Sequence, residues 1–469
     1  MRTIVLFVLC CFTGLAALDL KPLAGPKAPL YAARREAILA QWQALTVASY
    51  EKNGVHGAWD AEVGKLLSHA ARMQADSPSD LPTAEAAALA KRLAAPGACS
   101  DPLVAWAAWT LTPDRRQRLN AGWQALKAFD ADVLARPDAA RHPRLLEAMV
   151  AAELLAAYGR EPKEPDRQKA LDLAKRVATS IGESIRRDEC ALFPAVLISR
   201  VKEIDLKHQD FGEPVRIAID EAVAAAKPVP WVGSALKGAI RISNAWAWRG
   251  SGWANTVTKE GWAGFERNLK EADTLLTASW QANPADPLAA AYACTLAGAG
   301  NSATPLETWM LRSMKACFDH VTAFDVAMNF MKPRWGGSYG QMLALGCDCL
   351  DTARFDTDVP WRVISATQSA IRDAGQMKGD NDLRTALADA RVAAAVDACL
   401  DGYLKLTPTK AKRYACIRAA IHWHGGREEQ ARKALADVPE AELDADVARE
   451  FRADLKAIKG PAVKPLPDF

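Results

Sequence analysis

The tract from Trp248 to Leu345 limits the possible folds most, because its prolines and glycines cut an amphipathic pattern into pieces of helix length. It opens on Trp248-Arg249-Gly250-Ser251-Gly252-Trp253, continues into Glu260-Gly261-Trp262, and closes on Lys332-Pro333-Arg334-Trp335-Gly336-Gly337-Ser338. Trp262, Phe265, Leu269, Ala272, Leu276 and Ser279 alternate three and four apart, so they share one helical face, which must be buried. Thr258 with Glu260 suits the exposed N–H groups of a helix start, and Pro284 stops that helix after Asn283. Asp286-Pro287 begins another, with its own stripe at Leu288, Ala291, Tyr292 and Leu296, and so short a connection makes the two helices antiparallel.

The pattern recurs. Gly300-Asn301 ends the pair, and Thr304-Pro305-Leu306-Glu307 reads as a capped start. Ser279-Trp280, Asn283 and Ala291-Tyr292 align with Ala316-Cys317, His320 and Ala327-Met328 at a spacing of about 37 residues, near a tetratricopeptide period. Ser338-Tyr339-Gly340-Gln341 has the form of a capping box and launches a helix through Met342, Leu345 and Cys349. These features predict an all-α chain of antiparallel helical hairpins stacked as a TPR-like α-solenoid.

Helical periodicity extends to both sides. It predicts helices from Tyr31 to Asn53, Ala61 to Gln74, Thr83 to Leu93, Asp114 to Leu134, Pro143 to Tyr158, Asp166 to Gly182 and Arg187 to Ile204. Downstream it predicts Pro360 to Ala374, Asp382 to Leu404, Thr409 to His424, Arg427 to Ala436 and Pro439 to Lys459. Arg160-Glu161-Pro162-Lys163-Glu164-Pro165 reads as a linker, and Lys227-Pro228-Val229-Pro230 as a boundary. Residues 1–17, with Arg2, the apolar run Ile4 to Phe12 and small residues near Ala16 and Ala17, read as a cleaved signal peptide that directs the chain to the periplasm or the exterior. The organisation expected is thus 1–17 signal, 18–230 N-terminal helical region, 231–459 repeat region and 460–469 disordered tail. No later run reaches the ~18 uninterrupted apolar residues of a membrane span.

The 59 basic and 56 acidic residues are interspersed and give a net charge of +3, so no basic stripe points to nucleic acid. Arg249-Gly250, Glu260-Gly261-Trp262, Asn283-Pro284-x-Asp286-Pro287 and Pro333-Arg334-Trp335-Gly336-Gly337-Ser338 together resemble a family of uncharacterised, mostly exported bacterial proteins with tetratricopeptide-like helices, a domain of unknown function marked by Pro-(Lys/Arg)-Trp-Gly-Gly-Ser. The likeness covers about Trp248 to Ala436, with Arg413-Tyr414-Ala415 and Gly426 to Ala431 matching the last hairpin. It implies a repeat scaffold without an assigned activity. The chain lacks the Trp-Leu-Gly-Tyr positions of the standard tetratricopeptide consensus.

Gly336-Gly337-Ser338-Tyr339-Gly340 matches the Gly-x-Ser-x-Gly of a hydrolase nucleophile elbow, but a helix stopped by Pro333 precedes it instead of a strand, so Ser338 is expected to cap a helix. His320 and His56 are the potential bases. His422-Trp423-His424, with Cys416 upstream, puts its two imidazoles about 200° apart around a helix and cannot clamp one ion, and Cys347-Asp348-Cys349 meets the same objection. No metal or cofactor is expected. Cys399 and Cys416 lie equally far from the turn at Thr407-Pro408, which makes them a candidate disulfide, the alternative being two small apolar residues at a tight helix crossing.

Of the 15 tryptophans, Trp253 and Trp335 sit in Gly-rich turns beside Arg249 and Arg334. These four are the candidate binding residues, with structural plugging and helix capping as the alternative. The function expected is a non-catalytic exported scaffold that binds a protein or peptide on its concave face. A cell-wall glycan module using the tryptophans stands second, and a serine hydrolase at Ser338 third.

Overall fold

The computed structural model describes residues 18–135, 142–157, 166–187, 189, 209–226, 230–376 and 382–460. The expected signal peptide, the 160–165 linker, most of the expected helix from Arg187 to Ile204, and all of the tail but Gly460 lie outside them. Helix makes up 75% of the described residues, among which no strand occurs. The chain divides into two compact units, one formed by Leu30–Tyr292 and the other by the N-terminal segment to Pro29 with Ala293–Phe469. The division therefore falls inside the helix Leu288–Gly298, well beyond the boundary expected at residue 230. The apolar run Leu288 to Leu296 gives that helix no polar break at which to end.

In the Leu30–Tyr292 unit, α1 (Tyr31–Gln43) passes through a π-helical turn, Ala44–Ala48, into α2 (Ser49–Asn53), where periodicity predicted one regular helix. Then come α3 (Asp60–Gln74), α4 (Thr83–Leu93), α5 (Pro102–Thr110), α6 (Arg115–Ala135), α7 (Arg144–Ala157), α8 (Asp166–Arg186), α9 (Gln209–Ala226), α10 (Pro230–Arg249) and α11 (Lys259–Ala282). Helix α5 was not expected, because Leu103, Val104, Trp106, Ala107 and Trp109 are all buried and leave no polar face to mark a period. Trp42 of α1 stacks on Trp106 of α5 at 6.2 Å, and both are fully buried. Each helix packs on its neighbours in sequence.

Helices α10 and α11 form the clearest hairpin. Ser279 Oγ donates to the Trp231 carbonyl at 2.8 Å, Leu276 lies against Gly238, and Trp248 lies against Gly264. Partners that climb in one helix as they descend in the other define an antiparallel pair. Of the expected stripe, Phe265, Leu269, Ala272, Leu276 and Ser279 are buried while Trp262 at its start is only partly so, and Thr258 Oγ1 accepts from Gly261 N at 3.0 Å.

In the second unit, α12 (Leu306–Ala316), α13 (Val321–Phe330), α14 (Tyr339–Leu350), α15 (Arg362–Ala374), α16 (Asp382–Ala388), α17 (Ala390–Leu406), α18 (Ala411–His424), α19 (Glu428–Ala434), α20 (Ala445–Glu450) and α21 (Leu455–Lys459) follow in order. Thr304 makes no side-chain cap for α12, whose first residue follows Pro305 directly. Asp389, accepting from Arg391 N and Val392 N, splits the helix expected from Asp382 to Leu404. Asp444 and Asp454 cap two short helices where one from Pro439 to Lys459 was expected. An aspartate inside a helical pattern competes for the backbone, and here it starts a new helix.

The α10–α11 hairpin should depend on Leu276, which is 0% exposed. Leu276→Ala is expected to lower stability by about 2–5 kcal/mol through lost burial and the cavity left behind, read as a shift of the urea midpoint.

Candidate functional site

At the open end of the α10–α11 hairpin, Gly250 takes a left-handed φ of 72° and turns the chain out of α10. Arg249 Nη1 donates to the carbonyls of Gly250 and Gly252 at 3.2 and 3.1 Å, and its guanidinium lies 5.5 Å from the ring centres of both Trp246 and Trp262. Burial pulls its pKa down. Arg267 sits 5.5 Å from the ring centre of Trp248, and Trp246 meets Phe265 edge-on at 5.1 Å. Arg249 is thus cradled by aromatic faces and fixes the loop. Trp253 stands apart with 62% of its surface exposed, on a short turn held by Thr256 Oγ1 donating to the Trp253 carbonyl at 2.7 Å.

In the other unit, the Pro333–Trp335 turn leads through Gly336, with φ 89°, into Gly337. A Cβ on Gly337 would come within 2.2 Å of the Met331 carbonyl oxygen, so only glycine fits. Arg334 pairs with Asp373, a carboxylate 1% exposed that also accepts from Tyr339 Oη at 3.1 Å. Trp335 packs on Phe330 at 5.5 Å. Arg334 and Trp335 therefore fasten the turn to α15 and α13, which is the structural alternative named from the sequence. Burial, with Arg334 and Arg372 nearby, brings the Lys332 amine down to about 8.

Ser338 caps α14. Its Oγ accepts from Gln341 N at 3.1 Å, while Gln341 Oε1 accepts from Ser338 N at 3.0 Å. What precedes it is helix and turn. His320 Nδ1 lies 3.2 Å from Ser313 Oγ, and His56 Nδ1 lies 3.2 Å from Asp60. His422 sits between Asp397 and Arg427, and His424 faces the Phe451 carbonyl at 2.8 Å, so the two imidazoles turn to different partners. Among the described residues no group of three His, Cys, Asp or Glu could hold a metal ion.

Cys399 and Cys416 are free buried thiols, so the expected bridge is corrected. Asp397 pairs with His422 and Asp401 with Arg418, which puts Ala420 level with Cys399 and leaves Cys416 one helical turn away. The thiols also point apart: Cys399 Sγ donates to the Pro360 carbonyl at 3.4 Å, and Cys416 faces Asp444. The turn Pro408–Lys410 shifts the hairpin axis past the point that symmetry about Thr407-Pro408 assumed.

The most charged interior lies elsewhere and was missed. His142 Nδ1 is 2.9 Å from Asp132 and Nε2 is 3.3 Å from Glu147, all three side chains at most 5% exposed. Glu147 also binds Arg144 at 2.5 Å and Arg176 at 2.6 Å, joining α7 to α8. Burial opposes ionisation of Glu147, yet His142, Arg176 and Arg144 outweigh it and hold the carboxyl at about 2. Glu189 accepts from Leu145 N at 2.9 Å, and its burial pushes it up to about 7. Each ring nitrogen of His142 thus faces a carboxylate inside the protein. The available signal was Glu147 itself, one acid inside the apolar run Leu145 to Val150.

Two outcomes follow from these sites. Glu147 has a folded pKa below its unfolded value, so its contribution is complete above about 4.5 and lost as pH falls toward 2; Glu189 has the opposite sign, and stability declines as pH rises from about 4.5 to 7. Melting temperature against pH should lose the acid limb in Glu147→Gln and the neutral decline in Glu189→Gln. Gly337→Ala is expected to cost about 1–3 kcal/mol from the clash with Met331, measured by denaturant unfolding.

No family model, curated protein or solved structure matches this chain.

Proposed function

We propose that the protein is a non-catalytic, exported scaffold of TPR-like helical hairpins that binds a polypeptide partner. The observation that carries this reading is the repeated antiparallel pairing: α10 with α11, α14 with α15, and α17 with α18, each unit a hairpin whose helices pack on their neighbours in sequence. Where such hairpins stack within a unit, burying their stripes leaves a face of helix surfaces, and extended peptides fit such faces. The polar side chains that resemble catalytic groups support it too, since Ser338 caps a helix and His142 is held between two carboxylates.

A second reading, a glycan-binding envelope module, rests on Trp253 alone, because a flat ring exposed to 62% can stack on a sugar. Arg334 and Trp335, also named for it, contact Asp373 and Phe330. The experiment is a binding assay on isolated cell wall and on envelope proteins, with wild type and Trp253→Ala. The scaffold reading expects negligible wall retention and a discrete cross-linked polypeptide from the envelope fraction. Wall retention that disappears in Trp253→Ala would establish the glycan reading instead.

A further inference from the structure

The segment after the expected signal peptide is fastened to the second unit at several points. Leu20 is 1% exposed. Arg354 Nη1 donates to the carbonyls of Ala24 and Gly25, each at 3.1 Å, and Phe318 N donates to the Pro29 carbonyl at 2.7 Å. These anchors set the position of Leu18, whose backbone nitrogen lies 2.9 Å from Asp348 Oδ2. Asp348, on α14 between Cys347 and Cys349, is 6% exposed.

Arg391 reaches Asp348 at 2.9 Å and Asp351 at 3.5 Å, and Asp389 caps the same helix start. Asp19 stands next to Leu18, its carboxylate accepting from Lys21 N at 3.2 Å. Beside Leu18 N, the Arg391 guanidinium serves both Asp348 and Asp351, with Asp19 adding a further negative charge. A neutral amide N–H at that point offers a hydrogen bond but no charge. A terminal ammonium offers both, and a charge-assisted bond to a carboxylate already desolvated and held by arginine is the stronger contact.

We propose that the Ala17–Leu18 bond is the processing site, and that the α-ammonium of Leu18 released by cleavage is the intended partner of Asp348. A signal-peptidase-type endopeptidase adds water across the amide, leaving a carboxylate on Ala17 and an amine on Leu18. The amine takes up a proton at neutral pH, where a free α-amino group titrates near about 8, and the neighbouring carboxylates favour its charged form. The precursor lacks this ion pair, so the processed chain is the more stable. The assignment gives the Cys347-Asp348-Cys349 triplet a role its spacing concealed. It rests on the export reading and makes that reading specific to one bond.

The test has two arms. The intact mass and N-terminal sequence of the exported protein are expected to begin at Leu18. Export with a start at Ala17 or elsewhere overturns this inference alone, whereas full-length, unexported chain overturns the export reading as well. In the second arm, chains beginning at Leu18 and at Ala17 are released from a cleavable fusion partner and unfolded in urea. The Leu18 form is expected to show a folded-to-unfolded ratio roughly tenfold higher, a difference that vanishes in Asp348→Asn. Equal stability of the two forms in the wild-type background, or a difference that survives Asp348→Asn, overturns the pairing.

Discussion

Close approach of helices over small residues is the constraint on which each unit depends. A Cβ on Gly264 would lie 2.3 Å from the Trp248 ring, and one on Gly346 would lie 2.8 Å from Val363 Cα. In the first case a whole indole takes the room that a side chain would have used. In the second, two backbones meet almost directly, with Ala366 Cβ only 3.4 Å from the same point. Interiors packed at crystal-like density do not average such fits away. The apolar stripes supply the driving force, and the small residues decide how near the helices come.

Buried aspartates complete what packing begins. Asp101 accepts from Leu103 N and from Val55 N, each at 2.8 Å, so one carboxylate both starts α5 and holds the segment before α3. Asp286 accepts from Leu288 N at 2.9 Å and pairs with Arg34 of α1. Asp373 gathers Arg334 and Tyr339 at the end of α15. A buried carboxylate is costly unless every oxygen finds a donor, and each of these finds donors from segments distant in sequence. The same group thus serves local and long-range order.

What the sequence disclosed and what it withheld have one physical origin. The α11 stripe, the Thr258 cap and the Ser338–Gln341 box are local patterns in which cause and effect lie within a few residues; the cap and the box are found as read, and the stripe is buried from Phe265 on, with Trp262 only partly so. Helix α5 escaped because burial on every side erases periodicity, and the breaks at Asp389, Asp444 and Asp454 escaped because a cap and a helix-surface acid look alike in one dimension. Of the two candidate binding tryptophans, Trp253 alone is largely exposed, and nothing in the letters around it separates it from the partly buried Trp262. The His142 cluster assembles from α7, α8 and the ends of α6, a juxtaposition no spacing encodes.

The cysteines carry a last consequence. Cys99, Cys347, Cys349, Cys399 and Cys416 are buried free thiols, and burial raises the thiol pKa of Cys347 to about 11 and of Cys399 to about 12. A thiol so held yields almost no thiolate, the species that oxidants attack. Native packing is therefore a redox shield as well as a scaffold. Were the chain to open in oxidising surroundings, its sulfurs could cross-link at random, and the return path would be blocked by covalent bonds; the fold has to be kinetically persistent, not merely favourable.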